Sequence, residues 1–139
     1  MANTKKVFVV DDDSIFSYVI LKIMEDMHQV DEIKLLSNGT EALTRLTDFK
    51  DHPDYLPDLI LLDLSMPVMD GWGFLDEFEK IRTEVKKSIT IIVYTSSINP
   101  SDMERAKKYA SVKDYVVKPV ERESTYQFIK KVSEVLNNL

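Results

Sequence analysis

The sequence predicts an α/β fold, a parallel sheet with helices on both faces. Three observations carry this. Short apolar runs recur without the alternation of a half-exposed strand, as strands buried on both sides require. Segments with apolar residues at helical spacing separate them, in five strand–helix units. Each run also ends in a polar or charged residue, and right-handed crossovers gather those ends on one edge of the sheet.

The elements follow in order. Val7 to Val10, β-branched and aromatic, is the first strand, and it runs into Asp11, Asp12 and Asp13. Ile15, Val19, Ile23, Met24 and Met27 recur at helical spacing, with Asp13 or Ser14 placed to cap the helix. Asp13 reads as a cap rather than a metal ligand. Ile33 to Leu36 is a short second strand. Ser37-Asn38-Gly39 turns the chain, and Ala42, Leu43, Leu46 and Phe49 mark the second helix. Asp51 to Pro57, with two prolines, reads as loop. Leu59 to Leu62 is the most apolar strand and ends at Asp63; Pro67 stops regular pairing, and Asp70-Gly71 turns into a helix marked by Phe74, Leu75, Phe78 and Ile81. Asp58 and Asp70 read as turn residues, and Met69 and Trp72 as packing residues at the helix entry. Ile89 to Tyr94 is the fourth strand, ending at Thr95-Ser96-Ser97. Asn99 before Pro100 forms an N-cap and N1 pair. Val112 to Val117 is the fifth strand, ending at Lys118-Pro119, and Phe128, Ile129, Val132 and Leu136 mark the last helix.

Composition narrows the function. The 139 residues read as one domain, 1–139. Without cysteine there are no disulfides or thiolate metal sites, which fits a cytoplasmic setting. A net charge of −6 and a pI near 4.9 disfavour nucleic-acid binding and suit a cation. No apolar run approaches the roughly 20 residues of a membrane helix, and no signal peptide is visible, so no membrane insertion is expected. His28 and His52 lack metal-ligand spacing.

The chemistry lies on the carboxyl edge. Asp11 and Asp12 end the first strand, Asp63 the third, Thr95 the fourth and Lys118 the fifth. Clustered carboxylates repel and raise one another's pKa unless a cation neutralises them. Oxygen ligation by one or two carboxylates, a main-chain carbonyl and waters is how Mg²⁺ is usually held. An ammonium and a hydroxyl beside them suit phosphoryl oxygens. Together these make a phosphoryl-transfer site with Asp63 as the nucleophile.

Asp11-Asp12, the segment from Asp63 through Met66-Pro67 to Asp70-Gly71, Thr95-Ser96, and Tyr115 with Lys118-Pro119 resemble the receiver domain of two-component response regulators. The resemblance spans essentially the whole chain and implies a flavodoxin-like sheet of order 2-1-3-4-5. It implies a single receiver domain with no output domain and no turnover of an external substrate. By the same resemblance, Asp63 accepts phosphate from a sensor histidine kinase or histidine phosphotransfer protein. Mg²⁺ would be held by Asp12, Asp63 and the backbone carbonyl of Ser65, with Asp11 acting through water. Thr95 and Lys118 would bind the phosphoryl group, and Thr95 and Tyr115 would form the switch presented to a downstream target protein. A cis bond between Lys118 and Pro119 is expected on the same ground. Ser65 and Ser97 stand where the family varies, which leaves the phosphate lifetime open. One rival is a Mg²⁺-dependent phosphatase or phosphotransferase. Such enzymes usually need a cap domain or an acid/base aspartate two residues after the nucleophile, where this chain has Ser65. A receiver that serves only as an interaction domain is opposed by the intact set of site residues.

Overall fold

The computed structural model describes residues 5–118 and 122–139. The elements are β1 (Lys5–Val10), α1 (Ser14–Glu25), β2 (Val30–Leu36), α2 (Gly39–Asp48), β3 (Leu59–Leu62), α3 (Gly71–Ile81), β4 (Thr90–Thr95), α4 (Pro100–Ala106), β5 (Val112–Val117) and α5 (Arg122–Asn137). The five strands form one sheet in the order β2-β1-β3-β4-β5, with every pairing parallel. This is the flavodoxin-like architecture expected. The loop between α2 and β3 contains one 3₁₀ turn, Pro53–Tyr55. The expected cis bond at Lys118-Pro119 lies outside the described residues.

The unbroken runs behave as a doubly covered sheet requires. Leu59, Ile60, Leu61 and Leu62 are all fully buried. Alternate residues serve opposite layers. Phe8, Val10, Ile60, Leu62, Ile91 and Val93 pack with Ala42, Leu46, Phe74 and Phe78 of α2 and α3. Val7, Val9, Leu59, Leu61, Ile92 and Tyr94 pack with Ile20 and Met24 of α1 and with Phe128 and Val132 of α5.

Helix α1 corrects the expected phase. Its buried face is Ser17, Ile20 and Met24, whereas Ile15 and Val19 are exposed. Apolar residues occupy nearly the whole circumference of this helix, so periodicity alone does not select a side. Asp13 sets the start by accepting a hydrogen bond from the Phe16 N–H at 3.0 Å. Asn38, Asp70 and Asn99 cap α2, α3 and α4 in the same way. Asp58 does more than turn the chain. It accepts the Lys6 backbone N–H at 2.9 Å and pairs with the Lys87 ammonium at 3.3 Å, fastening the start of β3 to β1.

Candidate functional site

Strand register brings the chemistry together. Val10 lies opposite Leu62, so Asp11 and Asp63 leave adjacent strands at the same level. The backbone continues the ladder there: the Asp63 N–H donates to the Val10 carbonyl at 3.0 Å, and the Lys118 N–H to that of Thr95 at 2.7 Å. Asp11, Asp63 and Thr95 are buried, while Asp12 is exposed.

One ligand oxygen from each of Asp11, Asp12 and Asp63 lies within 4.8 Å of the other two. The Lys118 ammonium reaches Asp11 Oδ2 at 2.8 Å and Asp63 Oδ2 at 3.1 Å. Burial, then the charge of Asp11, pushes the Asp63 carboxyl above its usual range, and Lys118 offsets only part of this. Burial works against the Lys118 charge, but its contacts with Asp11 and Asp63 outweigh that and hold its pKa above the ordinary value. Among the described residues, the site is thus an anionic pocket whose internal cation is Lys118.

The loop after β3 is pressed against the nucleophile. A Cβ on Gly71 would meet the Asp63 carbonyl oxygen at 2.5 Å and Leu64 Cα at 2.8 Å, so only glycine fits without a backbone shift. The Ser65 N–H approaches Asp63 Oδ1 at 3.4 Å. Val68 is held at φ 68°, a strained left-handed conformation for a β-branched residue, and its side chain is exposed. Trp72 stacks on Tyr109 and lies 4.2 Å under the Arg105 guanidinium. With Thr95, Ser97 and Asp102 it lines a groove beside the acidic cluster.

Two further groups shape the site, and the first, Tyr94, was not singled out from the sequence. Tyr94 is fully buried, and its phenol donates to Asp11 Oδ2 at 2.8 Å. Burial and the neighbouring Asp11 push its pKa far up, so it remains a donor. A tyrosine ending an aliphatic strand was the available signal, since a buried phenol needs a partner. Ser97 is the second. Its N–H approaches Thr95 Oγ1 at 3.4 Å, its hydroxyl donates to Asp102 at 2.6 Å, and its carbonyl accepts from the Tyr115 phenol at 2.9 Å. Thr95 and Tyr115 are therefore joined through Ser97.

The family model for the response regulator receiver domain matches residues 7–130. The chain belongs to this family. Among its relatives, the probable methanogenesis regulatory protein FilR2 of Methanothrix harundinacea is 28% identical over 129 residues, covering 92% of this chain and 81% of that protein. The chemotaxis protein CheY of Bacillus subtilis is 27% identical over 120 residues, covering 86% of this chain and 91% of CheY. The phosphorylated cyanobacterial phytochrome response regulator RcpA has a similar structure. Its TM-score is 0.80 at 29% identity, covering 94% of this chain and 92% of that one. Against a protein-glutamate methylesterase of Geobacter sulfurreducens, the match covers only 28% of the relative. Receivers therefore occur within much longer proteins.

The donor set of this receiver fits a hard divalent cation. Three carboxylates converge, all ligand atoms are oxygen, and the charge exceeds what Lys118 neutralises. No helix among the described residues is long and apolar enough to cross a membrane.

Proposed function

We propose that this receiver is a phosphorylation-controlled switch of the cytoplasm, with Asp63 as its phosphoryl acceptor. The observation that carries the proposal is the Asp63 carboxylate, held 3.1 Å from the Lys118 ammonium among Asp11 and Asp12. A carboxylate oxygen of Asp63 attacks phosphorus. The P–N bond of a donor phosphohistidine breaks, an acyl phosphate forms, and the leaving imidazole takes up a proton. Asp12, Asp63 and the Ser65 carbonyl would hold Mg²⁺, with Asp11 acting through water; the cation supplies charge neutralisation for the phosphoryl oxygens. Lys118 and the Thr95 hydroxyl would bind those oxygens as point charge and hydrogen-bond donor.

The switch reading rests on Ser97. If Thr95 moves towards a phosphoryl oxygen, the Ser97 segment moves with it, and the Tyr115 phenol loses or follows its acceptor. The partly buried Tyr115 ring then changes what β5 and the 98–102 loop present to a downstream target protein. The donor would be a sensor histidine kinase or histidine phosphotransfer protein. Exposed Ile15, Tyr18 and Val19 on α1, next to the acidic cluster, offer an apolar surface for such a partner.

Incubation with a small-molecule phosphodonor and Mg²⁺ should label the wild type and leave Asp63→Asn unlabelled. Equal labelling of both would overturn the assignment.

A further inference from the structure

The Asp11 carboxylate has more partners than a free metal ligand would. Its Oδ1 accepts the Asp13 N–H at 3.0 Å. Its Oδ2 accepts both the Lys118 ammonium at 2.8 Å and the Tyr94 phenol at 2.8 Å. A carboxylate offers about four lone-pair sites, so roughly one remains.

The phenol is fixed from two sides. The Tyr94 ring lies 5.7 Å from Phe16 of α1 and 5.7 Å from Phe128 of α5, centroid to centroid. The Lys118 ammonium lies 5.0 Å from the Phe16 centroid and 5.2 Å from that of Tyr94. Phe16 therefore takes part in both contacts, seating the ammonium together with Tyr94 and flanking the ring that aims the hydroxyl.

We propose that Tyr94 is a positioning residue of this acidic site, whose phenol ties Asp11 to Lys118 and withholds one Asp11 oxygen from an incoming divalent cation. The proposal rests on the reading of Asp11, Asp12 and Asp63 as a cation site. Its physical basis is competition. A donor on a carboxylate draws off charge that a cation would otherwise meet, and a cation close to Oδ2 must share that oxygen with two donors. With one lone pair left, Asp11 suits a hydrogen bond from a metal-bound water better than direct ligation. Tyr94 thereby sets how tightly the metal is held.

The test is Mg²⁺ titration of the full chain, followed by calorimetry and by Trp72 fluorescence, for wild type, Asp12→Ala and Tyr94→Phe. Tyr94→Phe keeps the ring and removes only the oxygen. Its Mg²⁺ affinity should rise roughly three- to tenfold, the scale of a typical net hydrogen bond. A residue that merely packs would leave the affinity unchanged or weaken it, and either result overturns the proposal. No Mg²⁺ response in the wild type, or the same response in Asp12→Ala, would instead overturn the cation-site reading. Wild-type protein with ¹³Cζ-labelled tyrosine gives a check that needs no variant. The Tyr94 resonance should shift along the Mg²⁺ titration with the midpoint found by calorimetry, and a resonance that stays still overturns the role of Tyr94.

Discussion

Replacing Asp63 with Asn should stabilise the metal-free protein while abolishing its chemistry. The magnitude can be worked from the site. At an effective dielectric of about 20, two like charges no more than 4.8 Å apart cost at least about 3.5 kcal/mol. Asp63 bears this against Asp11 and a smaller, solvent-screened share against exposed Asp12. The Lys118 contact at 3.1 Å returns about 5 kcal/mol on the same scale. The Coulomb contributions nearly cancel, which leaves the cost of burying the charge. That cost is several kcal/mol for a carboxylate, against about 1–3 kcal/mol for a polar amide. A gain of about 2 kcal/mol follows, and for a chain of this size it raises Tm by about 5–8 °C.

The assay is thermal unfolding by circular dichroism in EDTA at pH 7. Mg²⁺ should narrow the difference, because the wild type gains more from the cation than the variant. Acid should narrow it too. The folded-state pKa of Asp63 lies above the ordinary 3.8, so just above that value the folded state binds more protons than the unfolded. The carboxylate's destabilising contribution is therefore absent below 3.8 and grows as pH rises through the raised folded-state pKa. An Asp63→Asn protein no more stable than wild type in EDTA at pH 7 would refute this account of the pocket.

Three further outcomes are expected. Thr95→Ala should still accept phosphate on Asp63 but lose the dependence of target binding on it; partner affinities measured with and without phosphodonor check this. Asp70→Ala removes the side chain that caps α3 through the Gly73 N–H at 2.8 Å and should cost about 1 kcal/mol, read as a lower denaturant midpoint at unchanged slope. Val68→Asn should gain about 1 kcal/mol in the same assay, because asparagine tolerates the left-handed conformation that valine holds at φ 68°.

Much of this receiver was decided locally. The unbroken run Leu59 to Leu62 can be satisfied only by cover on both faces, and all four residues are fully buried. Asn99 and Pro100 specify a helix start through one side-chain acceptor and one fixed φ, and α4 begins there. Asp11, Asp63, Thr95 and Lys118 each follow a strand run. A parallel sheet places all such ends on one edge, so their meeting followed from topology. The family motifs made the same set recognisable.

What stayed hidden depends on rotation and on distance through space. The buried side of α1 is set by packing against the sheet, because Ile15 and Val19 are as apolar as Ile20 and no periodic signal separates them. Tyr94 looked like one more strand residue. Only the parallel register of β4 with its neighbours, and the rings of Phe16 and Phe128 from two distant helices, aim its phenol at Asp11. Ser97 joins Thr95 to Tyr115 through its own backbone atoms, which no side-chain pattern reveals. Strand and helix identity come from short-range side-chain preferences, which a sequence displays. The partners of a buried polar atom come from three-dimensional closure, because every element packed around that atom contributes to the choice.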